Sequence, residues 1–144
     1  MKTYKELIEE IESYRGFHKA PDSKGDTSSP LHDLSKTYPE DLYSPKGARY
    51  YGHGDSSMDN DTHRMIMKHR GKPENDVIAY RAVPKHVTDI NSGDWVTINK
   101  KYAKDHGEGP LKGNYKILEK KVKAKNLYNN GDSIHEYGYH NTDI

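Results

Sequence analysis

The period of the hydrophobic pattern changes at Gly71, and no other feature restricts the fold of this chain as much. Before that glycine, apolar residues recur at helical spacing. Tyr4, Leu7, Ile8, Ile11 and Tyr14 line one side of MKTYKELIEEIESYR with acids on the other, which predicts an amphipathic helix over residues 1–15. Thr3 and Glu6 offer a capping box at its start, and Gly16 ends it. Residues 17–30 turn to Gly, Ser, Asp, Lys and Pro and read as a loop, either a plain connection or a flap able to close over a ligand. LHDL at 31–34 and YPEDLYS at 38–44 add short apolar contacts. Ser44-Pro45 opens a short helix through Arg49 and Tyr50 that ends at Gly52, and a further helix runs from about Met58 to Arg70.

Beyond Gly71 the pattern is extended. VIAYRAV at 77–83, DWVTI at 94–98, NYKILEKKVKA at 114–124 and SIHEYGY at 133–139 are rich in β-branched and aromatic residues, with Gly, Asn or Pro at their borders. Each predicts a strand. NKKYAKDHG at 99–107 is helical in character and leads into a glycine-rich turn. Helices first and strands second, with one short helix embedded, predict an α+β fold around a mostly antiparallel sheet. A chain of 144 residues fits one domain, with a helical part over 1–76 and a β-rich part over 77–144.

Can so polar a chain build a core? Hydrophobic and charged residues each make up 31%, and the mean hydropathy is −1.15. Twelve tyrosines answer the question, because each can bury a ring while its hydroxyl keeps a polar partner. The net charge of +1 gives no overall attraction to nucleic acid, but residues 72–125 carry 12 basic against 7 acidic groups. That segment suits a phosphate-bearing ligand, although lysines alone equally describe a solvated face. With no cysteine there is neither a disulfide framework nor a thiolate zinc site. The charged N-terminus and the lack of any long apolar run predict a cytoplasmic protein with no membrane partner.

Three polar residues in the β-rich half carry the functional reading. Arg81 lies mid-strand between apolar neighbours, where an unpaired guanidinium is costly to bury, so it needs an acid of the fold or an anion of a ligand. Thr97 by itself is an ordinary strand residue. Glu136 sits between His135 and Tyr137 in a half-buried segment, where a carboxylate must be paired, hydrogen-bonded or shifted in pKa. His135 points away from Glu136 if both lie on a regular strand. Asp59 and His63, with His53 and His69 on either side, have helical spacing for a metal, but without a motif such as HExxH they read as solvated side chains. GHGD at 52–55 and GEGP at 107–110 read as turns, and the adjacent tyrosines of ARYYG at 48–52 as split between core and surface.

At these residues the chain resembles the mono-ADP-ribosyltransferases, in the branch marked by arginine, serine-threonine-serine and glutamate. YRAVP is similar to the family's first strand, with Ala82 where glycine is usual. GDWVTINKKYAKDHG resembles its second element, with Thr97, Ile98 and Asn99 at the serine-threonine-serine positions and Ala103 at the alanine of the following helix. SIHEYGY resembles the last strand. The resemblance spans roughly residues 77–139, and the chain is also similar to small proteins encoded by bacteriophages, which would place it in a host cytoplasm as a toxin or effector.

The resemblance implies an ADP-ribosyltransferase fold and an enzyme that takes NAD as substrate, needs no metal, and modifies an unidentified protein or nucleic-acid acceptor. It makes Glu136 the catalytic carboxylate that stabilises an oxocarbenium-like state. It makes Arg81 the anchor of the NAD phosphates or adjoining ribose, and Thr97, with Asn99 beside it, the support of Glu136 and the ribose. The backbone of Ala82 would hold the nicotinamide carboxamide, with Tyr102 or Tyr115 stacked on the ring. Arginine-modifying members carry Glu or Gln two residues before the catalytic glutamate; that position is Ile134 here. NAD hydrolysis is the alternative within enzymes, and a ribonuclease-like toxin or a non-catalytic binding module the alternatives outside that chemistry.

Overall fold

The computed structural model describes residues 20–23 and 27–141, and extended backbone takes over where the sequence pattern changes. Gly71, at φ 73°, takes the left-handed conformation that a side chain disfavours and turns the chain out of its helix. The helix expected over 1–15 lies outside the described residues.

Among the described residues, two α-helices precede the turn. Helix α1 spans Gly47–Tyr51 and helix α2 spans Ser56–His69, the latter capped by Asp55, whose side chain accepts from Met58 N. Met58, Thr62, Ile66 and His69 form its buried stripe, the spacing of a helix packed on one side. The chain leading into α1 is a 3-10 turn at Glu40–Tyr43 that buries Leu42 and Tyr43. The two tyrosines of ARYYG do split: Tyr50 is exposed and Tyr51 packs against the core.

Six strands build one sheet in the order β1-β5-β6-β3-β2-β4, and every described pairing is antiparallel. They are β1 (Ser29–Pro30), β2 (Asp76–Val83), β3 (Trp95–Thr97), β4 (Lys116–Lys123), β5 (Leu127–Asn129) and β6 (Glu136–Tyr139). The α+β class expected from the sequence is therefore observed, with α3 (Lys100–Glu108) embedded between β3 and β4. Strands β1 and β5 were not expected. They are two and three residues long, too short for a period to register, and β1 lies inside the part read as helical. The last strand starts at Glu136 rather than at Ser133, because residues 133–135 form a turn in which Glu136 N donates to Ser133 O.

Alternation along the strands divides the sheet into two faces. One carries Val77, Ala79, Val96, Tyr137 and Tyr139 into the main core with Leu31, Leu34, Leu42 and Ile66. On the other, Tyr80 pairs with Thr97 and Thr97 with Glu136, so three side chains stand in a row across β2, β3 and β6. A smaller cluster of Ala82 and Leu111, with Tyr115 and Ile117 against it, closes one end of this second face. Nearby, a Cβ on Gly138 would collide with the backbone of Pro21, so the glycine admits the incoming chain beside Trp95, its partner in β3. The part of the expected loop that is described thus lies on the sheet.

Candidate active site

Helix α3 lies over the row of Tyr80, Thr97 and Glu136, and the gap between helix and sheet is a small open cleft of about 40 Å³. Tyr80, Arg81, Ala82, Trp95, Val96, Thr97, Tyr102, Ala103, His106 and Glu136 line it. All three residues singled out in the sequence border this one cleft, although 55 positions separate the first from the last. Ala103 is buried, and its small side chain lets the helix approach the sheet.

Each polar group has a defined setting. Thr97 is buried, and its Oγ1 accepts from Asn99 N at 3.2 Å, which leaves the hydroxyl proton to donate elsewhere. Glu136 Oε1 accepts from the Tyr102 hydroxyl at 2.8 Å. Burial and the neighbouring Glu136 charge push the Tyr102 hydroxyl well above the ordinary tyrosine pKa, so it stays a donor. Arg81 is placed differently. Its cross-strand partner is Leu118, which packs on the main core, so the register sets Arg81 at the margin of the cleft on the core face. There Nη1 lies 3.5 Å from Asp94 Oδ2, while Nε is buried with no partner. The acid of the fold that the sequence left open is Asp94.

Two further residues expected to contact the dinucleotide are placed elsewhere. Asn99 does not line the cleft: its Oδ1 accepts from Lys101 N at 3.0 Å and Tyr102 N at 3.4 Å, capping α3. Its Nδ2 donates to Met58 O and Thr62 Oγ1, so both ends of the amide are committed to structure. Tyr115 packs its ring against Gly107 and donates to Glu108 Oε1 at 2.9 Å, outside the lining. Of the two candidate stacking tyrosines, Tyr102 is the one in the cleft. Trp95, Tyr80 and His106 line it without having been singled out. Trp95 stands two residues from Thr97 on the same strand face, and His106 stands four from Tyr102 on the same helix face, so both were open to periodic reasoning. Tyr80 depended on register.

Behind the cleft lies a buried polar network absent from the sequence reading. His135 is fully buried, with Nδ1 2.7 Å from Thr62 Oγ1 and Nε2 2.8 Å from Asp59 Oδ1. Its ring stacks on Tyr102, centroids 4.8 Å apart and planes 17° apart. Because His135 precedes the strand, the alternation expected to point it away from Glu136 does not apply. Asp59 also accepts from His53 N and Gly54 N, both at 3.0 Å, so GHGD is a cradle for a carboxylate rather than a plain turn. Burial would raise the Asp59 carboxyl, but the donors from His53, His135 and Gly54 outweigh it and hold the pKa below the usual range. Burial lowers His135, against the opposing pull of Asp59. Neither this histidine nor the buried His69 is a solvated side chain, and His63 Nε2 sits 2.7 Å from Leu42 O. Among the described residues, no group of three His, Asp or Glu is placed to hold a metal, and no helix is long and apolar enough to cross a membrane.

No protein-family model, curated protein or solved structure matches this chain.

Proposed function

We infer that the chain is an NAD-consuming ADP-ribosyltransferase of the fold its sequence resembles, acting on a protein or nucleic-acid acceptor. The observation that carries this reading is the row across the sheet: Glu136 directly opposite Thr97, in one cleft with Arg81 and Ala82. A carboxylate at that position does two things. Oε1 is held by Tyr102, which leaves Oε2 to accept from a ribose hydroxyl, and the negative charge stabilises the positive ribose that forms as nicotinamide leaves. In that step the bond between C1′ and the nicotinamide nitrogen breaks, and its electron pair departs with neutral nicotinamide. The acceptor nucleophile then bonds to C1′ and gives up its proton to Glu136 or to water.

The cleft encloses only about 40 Å³, far less than a small-molecule site, so in this reading α3 must move off the sheet to admit nicotinamide and its ribose, and the adenylate half lies outside. In this reading Arg81, set on the core face at the cleft margin, would turn from Asp94 to meet a phosphate at the rim. Tyr102 flanks the space for the nicotinamide ring.

Hydrolysis is the second reading, and Ile134 favours it. That side chain is fully buried in the main core, so the position from which relatives of the resembled branch engage an arginine acceptor is closed. The ribonuclease reading loses support for a related reason: both His135 ring nitrogens are engaged inside the protein.

Purified protein is to be incubated with labelled NAD and cell lysate, following free nicotinamide and transferred label together. Transfer to a protein or nucleic-acid band identifies the acceptor class, and nicotinamide without transfer indicates hydrolysis. Glu136→Gln removes the charge at nearly constant shape and is expected to slow nicotinamide release by about 100-fold or more with the fold intact. A protein that neither binds nor consumes NAD sinks the reading.

A further inference from the structure

We propose that the buried Asp59–His135–Thr62 network is a positioning device for Glu136, acting through the ring of Tyr102. The contacts close a circuit. Asn99 Nδ2 donates to Thr62 Oγ1 at 3.0 Å, and Thr62 lies 2.7 Å from His135 Nδ1. His135 Nε2 meets Asp59 Oδ1 at 2.8 Å, and the His135 ring carries the Tyr102 ring, whose hydroxyl holds Glu136 at 2.8 Å. The circuit returns to its start, since Asn99 Oδ1 accepts from Tyr102 N.

With the His135 imidazole neutral, one arrangement of protons satisfies every member. The Asp59 carboxylate can only accept, so His135 carries its proton on Nε2. Nδ1 is then an acceptor, and the Thr62 hydroxyl donates to it. That turns the Thr62 oxygen toward Asn99 Nδ2, which donates. A histidine bonded at both nitrogens cannot rotate without breaking two buried hydrogen bonds. The Tyr102 ring rests on this fixed plane, so its hydroxyl is aimed rather than free to swing with the helix. Among the described residues, His53 is the other ring against His135, its centroid 4.9 Å away and its plane at 84°. The titratable groups facing His135 are therefore Asp59, His53, Tyr102 and Glu136.

This device gives a role to residues that a bare three-residue site leaves idle. A carboxylate that must meet a transient positive charge loses effect with small displacements, because its contribution depends on being in place before the charge forms. Tyr102 contacts Glu136 directly; Asp59 and Thr62 act through His135, which bears on Glu136 through the Tyr102 ring and the backbone the two residues share, and all three are positioning residues.

The inference rests on the NAD reading for its consequence but not for its geometry, and the test separates the two. Thr62→Val removes the hydroxyl at constant shape, and Thr62→Ser keeps the hydroxyl while losing a methyl. In Thr62→Val, Tyr102 ring flips measured by NMR are expected to quicken at least tenfold. Nicotinamide release from NAD should fall about tenfold in kcat with KM within twofold of the parent. Thr62→Ser should match the parent in both. Thr62→Ala serves in place of the valine variant should that fail to fold. If flips and kcat are unchanged without the hydroxyl, or if the serine variant is as impaired as the valine one, the proposal is overturned. Should the parent protein not turn over NAD, the functional reading fails alone, and the ring-flip comparison still decides whether this network fixes Tyr102.

Discussion

Gly52 shows how one residue's lack of a side chain can hold a buried charge in place. A Cβ there would collide with the Asp59 carboxylate and with Ala48 O, so the loop reaches Asp59 only with glycine at this position. His53 N and Gly54 N then approach the carboxylate from the next two residues, and Asp59 in turn receives His135. Gly52→Ala is expected to lower stability by about 2–3 kcal/mol in urea denaturation, the scale of overpacking a filled site. It should also loosen His135. A change within 0.5 kcal/mol would show that the loop moves aside at little cost. Arg81 illustrates the opposite lesson at the same scale. Its residue type and neighbours suited an anion site, yet its nearest acid is Asp94, because strand register set its side chain on the core face.

Among the elements, α3 has the most to do with the cleft. Asn99 caps its first turn and ties it to α2 through Met58 and Thr62, and Tyr102, Ala103 and His106 form the face turned to the sheet. The helix is short, nine residues, and helices of that length have little stability of their own. Its place therefore depends on the cap and on the sheet. Asn99→Ala removes the acceptor for two backbone N–H groups and the donor to Thr62, with an expected cost of about 2 kcal/mol. Hydrogen exchange should quicken in α3 more than in β2. Uniform exchange across both elements would contradict the tie. At the sheet edge, β4 shows a different use of polar residues. Lys120, Lys121 and Lys123 break up its surface, and Lys123 pairs with Asp76 on the neighbouring strand. Charged edges of this kind discourage pairing with a second chain.

Across the whole molecule, the buried histidines link stability to pH. Burial holds both His135 and His69 below the ordinary histidine range, with Lys68 and Lys72 adding to the effect at His69. A histidine whose folded pKa is depressed takes up its proton more readily in the unfolded chain. Its contribution is therefore complete above the unfolded value of about 6.5 and is lost as pH falls from there through the folded value. Asp59 acts in a lower window. Its carboxyl is depressed, so its contribution holds above the unfolded value of about 3.9 and is lost below that. Unfolding free energy from urea titrations should fall between pH 7 and pH 5, by up to about 1.4 kcal/mol per pH unit for each histidine. A flat or rising curve over that window would mean that neither group is held neutral by the fold.

What the sequence determined by itself is local. The switch of period at Gly71, the end of α2 at that glycine, the strand character of β2 and the helix after Thr97 are written in adjacent residues, and the structure repeats them. Pairing was decided only by the tertiary structure. Register set Thr97 between Tyr80 and Glu136 and moved Arg81 to the cleft margin, and a one-residue slip would have exchanged those outcomes. Strands β1 and β5 exist only because neighbours complete their hydrogen bonds, and Asp59 and His135 meet across 76 positions of chain. A hydrophobic period reports which face of an element is dry. Partners for a buried carboxylate or imidazole come from whichever segments the fold brings alongside, and these leave no periodic trace in the sequence.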